Sequence, residues 1–167
     1  QMKNLLNNYV NAIKRDVDEF LPLFAEYQRK PTPELLAKLN AIGSRIASNL
    51  KAYNDCFNFN PEAATEEHLR DLLKNFEGLP SVSKGLSAPE VLLNALAFAN
   101  KKLKDPQQVA LINAEIAEIL KNLIENPELA YKQIELLTKA LLAENPSTVL
   151  DSCLKEVRKD LNDRNAP

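Results

Sequence analysis

From Leu6 to Tyr27, apolar side chains return every three or four residues, through Val10, Ile13, Val17, Phe20 and Phe24. That rhythm draws one face of a helix; a strand would alternate its faces every second residue. The same rhythm covers most of the remaining chain, and composition explains why so little interrupts it. Among 167 residues there are 28 Leu and 19 Ala but only 3 Gly. A β-sandwich or barrel needs many turn glycines, whereas Leu and Ala are strong helix formers. The expected fold is all-α, an antiparallel bundle of six to seven helices, with a repeat-like reading open in its C-terminal half.

Punctuation sets the expected boundaries. Pro22 lies inside the first period and removes one backbone hydrogen bond, so a kink is expected there. Thr32-Pro33 supplies an N-cap and a first-turn proline for a second helix. On that helix Ala41, Gly43 and Ala47 are small enough to admit a close neighbour. Residues 54–64 break the period and read as a loop, after which Thr65 caps a short helix that Gly78 stops. The stretch 79–88, with Pro80, Gly85 and three serines, reads as a flexible loop. It is the one candidate boundary, between 1–78 and 87–167, in what is otherwise a single helical domain over 1–167. Ser87-Ala88-Pro89-Glu90 has capping-box spacing and predicts the start of a fourth helix, Val91 to Lys104. That helix is apolar nearly all round and should be the most buried.

Asp105-Pro106, Asn126-Pro127 and Asn145-Pro146 then mark three further helix starts. The tripeptide Glu-Asn-Pro occurs twice, at 125–127 and 144–146. Two readings follow: a repeat array, or the plain efficiency of Asx-Pro as a helix start. The proline spacings are unequal and no side-chain signature recurs beyond them, which favours the second. A narrow seventh helix is expected through Leu150, Cys153, Leu154, Val157 and Leu161.

Charge removes several functions. Lys and Arg total 21 against 23 Asp and Glu, a net charge of −2, evenly spread. Nucleic-acid binding wants a basic excess or stripe, and none is present. Cys56, Cys153 and the single His68 cannot make a zinc ligand set, so neither metal nor cofactor is expected. Few cysteines in a helical chain fit a reducing, cytoplasm-like compartment. The longest uncharged stretch on the fourth helix, Val91 to Asn100, is half the roughly 20 residues of a membrane span. Six charged residues between 3 and 19 exclude a signal peptide at the start of this sequence. The ends, Gln1-Met2 and Asn165-Ala166-Pro167, read as those of a domain excised from a larger protein.

Candidate chemistry is sparse. His68 reads as a solvent-facing first-turn residue, with Glu66 and Glu67 suiting the helix dipole, ahead of a general base. Glu115 and Glu118 read as a solvated face. Two surfaces remain. Phe57 and Phe59 in the first loop, with Leu79 and Leu86 in the second, are the candidate contacts for a protein partner. Lys101, Lys102 and Lys104 are the alternative, an anionic-lipid or phosphate site, unless they only complement a helix C-terminus. The expected function is a non-catalytic protein-interaction or scaffolding module. The alternatives are a peripheral membrane or phosphoinositide-binding module and an enzyme with dispersed residues.

Overall fold

A computed structural model of the chain describes residues 2–55 and 64–143, with side chains from residue 8 onward. The described residues form six α-helices and no strand: α1 Met2–Arg29, α2 Pro33–Asp55, α3 Glu66–Glu77, α4 Ser81–Lys102, α5 Pro106–Glu125 and α6 Pro127–Leu142. The fold is an all-α helical bundle. The expected seventh helix, both cysteines, Phe57 and Phe59 lie outside the described residues.

Several helix ends obey local chemistry. The Leu35 amide donates to Thr32 Oγ1 at 3.1 Å, and the His68 amide donates to Thr65 Oγ1 at 3.2 Å. The Asp105 carboxylate accepts from the Gln107 amide at 2.9 Å, just ahead of the first-turn Pro106. Each bond satisfies one of the donors a helix N-terminus leaves open. Gly78 ends α3, and α1 continues through Pro22.

One boundary departs from expectation. Residues 81–88 are not a loop; they are the first turns of α4, and Pro89 with its capping-box neighbours lies inside that helix. Tertiary partners account for this. Ser81 Oγ donates to Glu128 at 2.7 Å, and Lys84 reaches Glu135 at 3.1 Å while lying 5.5 Å over the Phe76 ring. Gly85 sits so close to Tyr131 that a methyl group there would lie 3.0 Å from its hydroxyl. Together these contacts hold a segment of poor intrinsic propensity against α3 and α6.

The core draws on all six helices. α1 and α2 form a hairpin packed on α5, tied at the surface by Arg45 to Asp16 and Glu19 at 3.3 and 3.0 Å. α2 passes α5 at Gly43, where an added Cβ would run into the Asn113 side-chain amide and force that side chain to move. α4 is buried from Val91 to Leu96 without a break, as its all-round apolar sequence predicts. α5 is packed by α1, α2, α4 and α6. That crowding overturns the solvated reading of its carboxylates, since Glu115 is 1% exposed and Glu118 is half-buried.

Candidate docking surface

The fourth helix carries an apolar stripe that runs out of the core. Leu93 is buried, Pro89 half-buried, and Leu86 and Val82 are 82% and 80% exposed. Spacings of four and three residues set all four on one helical face. The stripe exists only because residues 81–88 are helical.

Beside it lies a hollow of about 230 Å³ whose wall includes Pro89. Its apolar lining comes from three other helices: Val10, Ile13 and Val17 on α1, Leu50 and Tyr53 on α2, and Leu120, Leu123 and Ile124 on α5. Val10 and Ile124 are themselves exposed by 39% and 59% at its edge. Asn54 fixes the junction, donating from Nδ2 to the Leu50 carbonyl at 2.9 Å and to the Pro89 carbonyl at 3.2 Å. Four charged side chains, Lys14, Asp18, Lys121 and Glu125, also line the hollow, and all are exposed. A second hollow of about 200 Å³ shares Lys121 and Glu125 and continues toward Leu21, Phe24 and Gln28 of α1. Apolar concavity with a few polar groups at the edge is the general form of a binding site.

The expected site residues fall in different places. Leu86 stands on the exposed stripe, and Leu79 is half-buried in the short α3–α4 connection. The three lysines do not act as one group. Lys102 donates to the Leu141 carbonyl at 3.2 Å and the Ala143 carbonyl at 3.5 Å, and lies 5.2 Å over the Phe98 ring. Arg70 joins it at the same helix end, donating to the Leu142 carbonyl at 3.1 Å. These cations satisfy the open carbonyls and the negative end of α6. Lys101 and Lys104 remain exposed.

Arg70 also pairs with Glu66 at 2.6 Å. The hydrogen bond and charge of Arg70 hold the Glu66 carboxyl below its ordinary value; desolvation opposes this, and Lys102 adds a smaller downward push. His68 is half-buried in the first turn of α3 and lines neither hollow. Among the described residues no helix is long and apolar enough to cross a membrane.

The hollow escaped the sequence reading because its walls come from four helices, and no local pattern marks their meeting. The exposed stripe had a signal: Val82, Leu86, Pro89 and Leu93 keep helical spacing straight through the supposed loop. Comparison with known protein families, curated proteins and solved structures returns no match for this chain.

Proposed function

We propose that the chain is a non-catalytic helical module that docks another protein through the apolar surface around Pro89. The observation carrying this reading is the α4 stripe, which leaves the core, stays exposed at Leu86 and Val82, and adjoins an apolar hollow. Large apolar groups contiguous at a surface mark interaction sites, whereas single exposed ones are ordinary. An apolar hollow bordered by four helices suits the apolar face of a partner helix, read through side chains three and four residues apart.

The rival readings have less support. Lipid recognition wants a cluster of about four to eight cations, and Lys102 is already engaged with the end of α6. Dispersed catalysis wants a base beside a substrate cavity, and His68 stands away from both hollows.

The test is selection of helical peptides from a displayed library against the whole chain. Enriched peptides should carry apolar residues at helical spacing and lose at least tenfold in affinity to Ile124→Asp and Val10→Asp, with an unchanged Tm. Failure to enrich any peptide, or peptides indifferent to both substitutions, overturns the reading.

A further inference from the structure

We propose that the first two turns of α4, residues 81–88, are a hinged arm that opens from the bundle as a unit about Pro89, held shut by a polar clasp and covering the Phe76–Tyr131 aromatic pair. The arm belongs to a single chain and does not depend on what docks at Pro89.

The two parts of α4 are anchored differently. From Val91 to Leu96 every residue is buried. Between Ser81 and Ser87 none is, and the two large apolar members, Val82 and Leu86, are 80% and 82% exposed. The backbone is weakest where the parts join. Pro89 has no amide, so the Gly85 carbonyl lacks its helical donor from residue 89. Gly85 is itself an unfavourable helix residue, and Pro80 at the N-cap offers no side-chain cap. Beyond the break, the buried Asn54 donates to the Pro89 carbonyl at 3.2 Å and pins the hinge to α2. Segments with few buried apolar contacts are those that open locally at least cost.

What closes the arm is polar. Lys84 Nζ meets Glu135 at 3.1 Å and Ser81 Oγ donates to Glu128 at 2.7 Å, so both fastenings end on α6. What the arm covers is apolar. The Phe76 and Tyr131 rings meet edge-on at 6.1 Å, the Tyr131 hydroxyl lies against Gly85, and Lys84 lies 5.5 Å over Phe76. With the arm shut, Tyr131 and Phe76 are 7% and 1% exposed. Opening breaks the ion pair, the hydroxyl–carboxylate bond and the cation–π contact, and uncovers an aromatic face between α3 and α6. Because the clasp includes a charge pair, ionic strength shifts the balance toward the open arm.

Two readouts on the whole chain test this: amide exchange at residues 84–88, resolved by NMR, and nitration of Tyr131 by tetranitromethane, read by peptide mass. Amides 84–88 should share one protection factor, lower than that of Val91 to Leu96. Glu135→Gln leaves the arm's own sequence intact and should raise both arm exchange and Tyr131 nitration about two- to fivefold, with Val91 to Leu96 unchanged. Salt at about 1 M should do the same to the parent and little to the variant. Pro89→Ala restores the missing amide and should slow both; if it lowers the Tm, Glu135→Gln and the salt series decide alone. Protection that grades upward from Lys84 to Ala88 is ordinary fraying of a helix end and overturns the proposal. Arm exchange that matches Val91 to Leu96 in every variant overturns it too, since α4 is then one rigid body. So does arm exchange, or Tyr131 nitration, that responds to neither Glu135→Gln nor salt.

Discussion

Pro89 and Pro106 sit in similar local sequences and end up in opposite structural roles. Each follows residues that invite a helix to start: Ser87-Ala88 before one, Asp105 before the other. At Pro106 the invitation is taken. Asp105 caps the Gln107 amide, and the two residues before it lie outside helix. At Pro89 the helix is already eight residues long and continues. The difference lies upstream. Residues 103–105 have only a turn to make, whereas residues 81–88 are gripped by Glu128, Glu135, Phe76 and Tyr131 on neighbouring helices. A proline starts a helix when its cap is used, and is absorbed when packing has already built the turns before it. The absorbed case creates the exposed stripe, and with it the candidate interface.

The largest effect should separate the two ends of α4. Leu96→Ala removes a side chain buried in the core and should cost about 2–5 kcal/mol. Leu86→Ala, ten residues earlier on the same helix, should stay within about 0.5 kcal/mol. Chemical denaturation of both would decide it. A large loss at Leu86 in dilute solution would mean that the stripe supports the fold of one chain and is not held in reserve for another.

The next effect compares the two caps. Asp105→Ala should cost about 1 kcal/mol, the ordinary value of an N-cap. Ser87→Ala should cost less than about 0.5 kcal/mol, because Ser87 lies inside a helix. Equal losses in thermal melts would place a helix start at Pro89 after all.

A smaller effect probes the grip itself. The Lys84–Glu135 pair is about one-fifth exposed on each side. Lys84→Ala should therefore cost toward the upper part of the range of about 0.2–1 kcal/mol for ion pairs. Its signature is local: amide hydrogen exchange over 81–88 should accelerate while Val91 to Leu96 keeps its protection. Uniform acceleration along α4 would refute a separately held N-terminal segment.

The smallest effect is a pH dependence at the far end of the bundle. Glu66 has its carboxyl held low by Arg70, so it favours the folded state at pH above the ordinary carboxylate value. That contribution is lost as pH falls through the lowered value. Glu66→Gln should be slightly less stable than the parent at neutral pH, and the difference should shrink on acidification. A gap that is constant with pH would remove Arg70–Glu66 as its source.

Much of the fold was legible because it rests on short-range chemistry. Thr32, Thr65 and Asp105 act as caps, Gly78 as a stop, and the apolar run of α4 is buried as its sequence requires. Less of the site was. By sequence Leu86 is a partner contact on a loop, whereas it is exposed on a helix; Lys101, Lys102 and Lys104 form one cluster by sequence, whereas the middle one caps α6.

By itself the sequence determined helix type, most helix starts and the identity of the core residues, since each depends on neighbours within about one turn. Tertiary structure alone decided the rest. The approach of α2 to α5 sets the empty Cβ position of Gly43 against Asn113, 70 residues away. The burial of Glu115 depends on four helices closing over α5. The hollow beside Pro89 exists only where α1, α2, α4 and α5 meet. Local propensity is a sum of small terms over adjacent residues, and side chains brought together from distant segments are large enough to override it.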